Sequence, residues 1–338
     1  SDTEEAATNR RQVFQLGTFT MTTGLLDGVT HGPDLFEQAL HSTTVSEAKL
    51  SFLEAQAEQL GLRSGIGHPE SLIREALLHL SSVRELLKGH QPNAVQRRLA
   101  RVGAQLSFTI GEELFTLHQP ELAHRWWRTA VQAAAEAGDR HFADHAYAAC
   151  AYLPTYFGDP DGVLAHIVPR VEQATKATPA IAWMWGFAAM AHAALGDRDA
   201  FERANTMARN TLARCSPDSL AAGIFSFLPR KQAFYEARGY AELGHVEGTA
   251  DAASRALAAY ESPTSINASL TRLAYATALA KAGDIEEACG LAIAAIKARD
   301  VPAFAVVVRA REFDGLIPQK ATAAQEWREV LANVRTLS

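Results

Sequence analysis

One short pattern recurs through the chain and limits what it can become: a glycine followed by polar or acidic residues, set between two alanine-rich stretches. Gly158-Asp159-Pro160-Asp161, Gly196-Asp197-Arg198-Asp199, Gly244-His245-Val246-Glu247 and Gly283-Asp284-Ile285-Glu286 share it, and His118-Gln119-Pro120-Glu121 occupies an equivalent place. Successive turns lie 40, 38, 48 and 39 residues apart. Glycine just past a helix takes the left-handed conformation that ends it, and an acid at the next position or two lies at the positive end of the following helix. Each turn therefore closes one helix and opens another, and the period is that of stacked helix pairs.

The flanks carry helical periodicity. Between Ile285 and Ile296 the apolar set Ala288, Leu291, Ala292, Ala295 and Ile296 recurs at steps of three and four. Alternating β-branched runs are nearly absent, and Val306-Val307-Val308 is too short to mark a sheet. The expectation is an all-α superhelix of antiparallel helix pairs over residues 31–338, with 1–30 as an N-terminal linker. Further helices are expected near 44–60, 70–88, 301–314 and 322–335. Segments rich in Gly, Pro or Ser interrupt the pattern at 61–69, 89–92, 216–219 and 262–265. A solenoid of this kind extends its core with each repeat, so 338 residues need not divide into two domains.

Charge and cysteine usage exclude several functions. Lys and Arg number 32 against 38 Asp and Glu, a net charge of −6, without the basic excess that gripping phosphates requires. Cys150, Cys215 and Cys289 are odd in number and lack C-x-x-C spacing, which points to reduced thiols in a cytoplasm rather than disulfides or zinc. Asp2, Glu4 and Glu5 stand where a secretory signal would carry a basic start. The longest apolar stretch, 180–195, falls short of the ~20 residues of a membrane span and reads as a buried helix. The chain is expected to be cytoplasmic, without a membrane partner, metal or cofactor.

Placing each turn glycine at the fifteenth position of a tetratricopeptide repeat tests a specific family. That motif wants small residues at its eighth, twentieth and twenty-seventh positions and a bulky aromatic at its twenty-fourth. Around His118 these are Gly111, Ala123, Ala130 and Trp127; around Gly283 the small positions are Ala276, Ala288 and Ala295, with Ala292 replacing the aromatic; around Gly244 the match is Ala237, Tyr240 and Ala256. The run from His90 to Phe157, with the Trp126-Trp127 pair, resembles the C-terminal part of bacterial regulators that carry an XRE-type helix-turn-helix ahead of tetratricopeptide repeats. The opening TEEAATNRRQVFQLG is similar to the linker those regulators place between the two parts. The resemblance implies a sensor of a small molecule or short peptide that dimerises, with DNA bound only by an N-terminal helix-turn-helix that this chain lacks.

Three local patterns suggest other chemistry. His141, Asp144 and His145 have the helical spacing of a metal site without an evident third ligand. Glu112 and Glu113 are adjacent, so they point about 100° apart on a helix and read as a solvated edge rather than a paired acid and base. Residues 55–75 echo a helix-turn-helix, but the second helix carries too much acid to read DNA. None makes an enzyme, and catalysis is not expected.

The stronger signal is phase. The resemblance implies that the second, fifth, ninth and twelfth positions of each first helix face a concave groove. These positions include Phe108, Glu112 and Phe115; His145 and Tyr152; Trp183 and Met190; Lys231, Phe234 and Arg238. Such a set suits an apolar or aromatic ligand with an anionic or hydrogen-bonding group. Aromatics at helical spacing also pack as core, and a groove of this kind could instead hold a peptide or partner helix as an adaptor does.

Overall fold

The computed structural model describes residues 45–334 except 90, 221–222, 261 and 319–320, and among the described residues every regular element is helical. The elements are α1 (Glu47–Arg63), α2 (Pro69–Lys88), α3 (Asn93–Thr116), α4 (Pro120–Glu136), α5 (Arg140–Ala149), α6 (Tyr152–Tyr156), α7 (Pro160–Glu172), α8 (Pro179–Ala194), α9 (Arg198–Ala213), α10 (Pro229–Glu242), α11 (Val246–Ala258), α12 (Ile266–Ala282), α13 (Ile285–Lys297), α14 (Phe304–Asp314) and α15 (Thr322–Ala332). Short 3-10 turns at Pro217–Ser219 and Gly223–Phe225 interrupt the connection between α9 and α10. The expected linker 1–30, and 31–44 with it, lie outside the described residues. No helix among the described residues is long and apolar enough to cross a membrane.

The turn chemistry holds throughout. Gly158, Gly196, Gly244 and Gly283 all have positive φ, between 69° and 97°, as does Gly138 between α4 and α5. In every one of these turns the residue after the glycine donates its N–H to the carbonyl five residues back, as in Asp197 N to His192 O at 2.9 Å and Asp284 N to Leu279 O at 3.0 Å. A Cβ on these glycines would meet nothing within 4 Å, so the backbone angle alone selects them. Asp139, Asp159 and Asp197 then accept from the backbone N–H three residues on, at 2.8–3.0 Å, and His245 does so through Nδ1 at 2.9 Å. His118 adopts the same geometry without glycine, at φ 62°, a conformation that disfavours any side chain.

Small residues set the close approach of paired helices. A Cβ on Gly111 would stand 2.6 Å from Trp127 Nε1 and 3.2 Å from the Ala123 carbonyl, so α3 and α4 meet only because position 111 has no side chain. Trp127, Ala123 and Ala130 are fully buried in that contact. Gly239 of α10 receives the Phe201 ring of α9 in the same manner. The pair turning at Gly158 is less regular because Pro154 has no N–H to donate and its ring would crowd the carbonyl four residues back. The helix breaks there into α5 and α6, with three-residue hydrogen bonds at Cys150 and Ala151.

Two further features shape the interior. The interval between the turns at Gly196 and Gly244 is the longest of the four, and in the longer connection that results residues 223–228 fold onto the concave side. Phe225 packs against Phe108 and Phe142, and the Ile224 carbonyl accepts from the His145 ring at 2.8 Å. The two ends of the stack also meet. Arg299 donates to the Gly65 carbonyl at 3.0 Å, the His118 ring reaches the Pro302 carbonyl at 3.3 Å, and Phe304 stands edge-on to Phe115 with centroids 5.2 Å apart. The superhelix therefore curves until its last helices touch its first ones.

Candidate functional site

That closure surrounds a cavity of about 420 Å3 on the concave side. α3 contributes Glu112 and Phe115, α6 contributes Tyr152 and Tyr156, α8 contributes Phe187 and Met190, α10 contributes Lys231, Phe234 and Arg238, and α14 contributes Arg309. Within each helix the spacing is three or four residues, so each set shares one face. Phe115 is the hub of the aromatic wall: it stacks on Tyr152 at 5.2 Å and 23°, and meets Tyr156 and Phe304 edge-on.

Two polar clusters face this wall. Toward α14, Arg238 is bound to Glu242 and, at 3.0 Å, to Glu312, which also takes Arg309 at 2.7 Å. Lys281 joins Glu242 at 3.4 Å and donates to its backbone carbonyl at 2.7 Å. Burial works against the Glu242 charge, but Arg238, Lys281 and Arg309 outweigh it and hold the carboxyl below its ordinary pKa. Arg309 additionally lies over the Tyr156 ring at 4.5 Å.

The second cluster, at the first turn of α10, is different. Lys231 Nζ stands 4.0 Å from the centroid of Trp183 and 5.8 Å from that of Tyr152, and among the described residues it forms no ion pair. Burial pulls its pKa down to about 8, against the pull of Glu112. Burial likewise pushes the Glu112 carboxyl up to about 7, opposed by Lys231 and reinforced by Glu113. Glu112 Oε1 and Trp127 Nε1 are both buried without a hydrogen bond of ordinary geometry, although the indole N–H lies near enough to favour the carboxylate weakly.

Seven of the ten residues named from phase line the cavity: Glu112, Phe115, Tyr152, Met190, Lys231, Phe234 and Arg238. Phe108, His145 and Trp183 do not. Ile224 and Phe225 cover the first two, and Trp183 is fully buried, donating its indole N–H to Tyr235 Oη at 2.6 Å and offering its face to Lys231. His145 is held neutral, its pKa pulled down to about 3 by burial; the ring donates through Nε2 because a carbonyl can only accept. Asp144 is bound to Arg170 at 2.8 Å, and His141 is exposed, so the three do not converge as a metal site would require. No family model, characterised protein or solved structure matches the chain.

Glu113 departs from the solvated edge expected of it. It is 1% exposed and accepts from Ser64 Oγ at 2.5 Å, tying α3 to the end of α1, while Glu112 turns to the cavity. The 100° between them is what lets adjacent acids serve separate interiors. Tyr156, Phe187 and Arg309 escaped the phase argument. Tyr156 and Phe187 lie four residues beyond Tyr152 and Trp183 on the same faces, a spacing that could have found them. Arg309 reaches the cavity only through the closure of the superhelix, which no local spacing encodes. Cys150 is sealed in the core with its thiol pushed up to about 12 by burial, which leaves it protonated rather than nucleophilic.

Proposed function

We propose that these helix pairs are the signal-sensing part of a bacterial transcriptional regulator of the XRE-type tetratricopeptide kind. The domain binds a small molecule in its central cavity, dimerises through its terminal helices, and reports occupancy to a helix-turn-helix outside these residues, in the cytoplasm. It acts by binding rather than by catalysis. The observation that carries the reading is the cavity itself: about 420 Å3, walled by aromatic rings, with a few polar groups converging on it. Lys231 and Glu112, both pushed by burial toward their neutral forms beside the aromatic wall, add the kind of perturbed titration that clusters at functional sites.

A peptide is the less favoured occupant. A peptide-holding adaptor would present an open groove with rows of Lys, Arg and Asn, whereas residues 223–228 here occupy part of the concave face, α14 closes over another, and the lining is mostly aromatic and aliphatic. Native mass spectrometry of the full-length protein from its own host tests the proposal. A noncovalent adduct of a few hundred daltons is expected, and it should be lost when the cavity is filled by Ala305→Phe, with circular dichroism confirming that the variant folds. An adduct unaffected by that substitution, or a captured polypeptide, would overturn the small-molecule reading.

A further inference from the structure

The sensor reading leaves the chemistry of the ligand open, and the charges of the cavity narrow it. Among the described residues four cationic side chains line it, Arg230, Lys231, Arg238 and Arg309, and one acid, Glu112. Arg238 and Arg309 are already committed to Glu312, and Arg238 to Glu242 as well. Among the described residues Arg230 and Lys231 have no such acid: Arg230 lies over the Tyr260 ring at 6.0 Å, and Lys231 lies over Trp183. A ring face attracts a cation without neutralising it, so the charge of Lys231 stays available to an incoming anion.

Both of these cations stand in the first turn of α10. The residue that caps this helix, Leu228, offers no side-chain acceptor to the N–H groups behind it, and Leu228 itself lines the cavity. The positive end of a helix and two cationic side chains thus coincide at one wall. Among the described residues the carboxylate acting on Lys231 is Glu112 of α3, and it serves poorly, because its own charge is opposed by burial and its Oε1 lacks a hydrogen bond of ordinary geometry.

We infer that the cavity takes a flat aromatic monoanion, whose acidic group sits against Lys231 at the first turn of α10 and replaces Glu112 as the counter-charge, while its rings lie along Phe115, Tyr152 and Phe234. One negative charge is what Lys231 calls for, and a second placed on the α3 side would come up against Glu112. The rings of this wall are offset or edge-on to one another, the arrangement into which a further flat ring packs. This inference rests on the sensor reading but fails separately from it.

Two dyes with the same ring system make the test. 1-Anilinonaphthalene-8-sulfonate is an aromatic monoanion, and N-phenyl-1-naphthylamine is its neutral counterpart. Fluorescence titration of the full chain with each, and of one against the other, should show a single shared site that prefers the anion. Lys231→Met is expected to weaken the sulfonate about tenfold, the scale of one charge-assisted contact, and to leave the neutral dye within about twofold. Glu112→Gln is expected to act in the opposite direction, tightening the sulfonate a few-fold by removing the competing counter-charge. A sulfonate affinity unmoved by Lys231→Met, or weakened by Glu112→Gln, overturns the anion inference while a neutral dye in the cavity leaves the sensor reading standing. If neither dye binds, or both bind equally well to Ala305→Phe, the cavity is not a ligand site and both readings fall.

Discussion

The α14 side of the cavity and the first turn of α10 carry comparable positive charge and handle it in opposite ways. On the α14 side, Arg238, Arg309 and Lys281 are interlocked with Glu242 and Glu312, each carboxylate serving at least two cations. At α10, Lys231 has ring faces around it and a carboxylate nearby that burial drives toward its protonated form. The first arrangement is self-sufficient and works as a clasp joining α10, α12 and α14. The second is stable only to the extent that the surrounding core tolerates it, which is the condition in which binding energy remains to be gained. Proximity to a cavity is therefore a poor guide to which charge meets a ligand; the guide is which charge still lacks an equal partner.

The sharpest way to break this contrast is to remove one member of the clasp. Glu242→Gln keeps shape and volume but strips the charge from the carboxyl shared by Arg238 and Lys281. With only 8% of the Arg238 side chain exposed, it would be left with Glu312 alone. A loss of about 2–3 kcal/mol is expected, below the usual cost of stranding a fully buried ion because Glu312 remains. Chemical denaturation measures it. A variant as stable as the parent would mean that the clasp is ornamental and that the two sides do not differ.

What the sequence disclosed and what it concealed follow the same division between local and distant causes. The glycine turns were legible because the conformation of Gly196 or Gly283 depends on its own backbone and the five residues before it. The Gly111–Trp127 contact was legible because a repeat pairs positions at fixed separation. Seven groove residues followed from phase for the same reason. The closure of the stack was not legible: His118 reaches Pro302, and Arg299 reaches Gly65, across separations of 184 and 234 residues, and curvature sums small rotations that no single repeat specifies. The long interval between Gly196 and Gly244 was visible as a number, but its consequence, a connection that buries Phe108 and His145, depends on where that connection folds.

A smaller effect of opposite sign should appear at α10. Lys231→Met and Glu112→Gln, taken singly, are each expected to stabilise the protein near neutral pH, by about 1–2 kcal/mol after discounting for solvent in the cavity. The sign follows from linkage. The Glu112 carboxyl, pushed from 4.5 to about 7 in the fold, keeps its proton where the unfolded chain releases it, so its contribution falls as pH rises from 4.5 to about 7 and stays lost above. The Lys231 ammonium, pulled from 10.5 to about 8, is bare where the unfolded chain is protonated, so its contribution falls as pH drops from 10.5 to about 8 and stays lost below. Both penalties are thus fully present between about 7 and 8. Melting midpoints of parent and variants across pH 5–10 should diverge most in that window. Each variant also removes the charge that opposes burial of its partner, which takes back part of the gain, whereas Glu113, Arg230 and the tyrosines around the pair are common to all three proteins and cancel in the difference. Midpoints that converge there, or variants less stable than the parent, would show that the α10 side is as well satisfied as the clasp.

The smallest expected effect concerns His118, which bears on whether the clasp side owes its position to the closure of the stack. The residue sits at φ 62°, where glycine is at ease and a β-carbon is not. It nevertheless contributes a ring contact to Phe304, at 5.5 Å and 78°, and a hydrogen bond to the Pro302 carbonyl at 3.3 Å. The bond is only partly buried and long for its type, so its net worth is about 0.5–1 kcal/mol, close to the roughly 1 kcal/mol of strain that glycine would relieve. His118→Gly should therefore leave global stability within about 1 kcal/mol of the parent. Its effect belongs to the junction it releases: amide exchange should quicken around Phe304 and the start of α14, while exchange in the first turn of α10 and the affinity for the sulfonate dye stay unchanged. Faster exchange at both places would mean that the two sides of the cavity move as one body, and the clasp would then be part of the binding site rather than its frame.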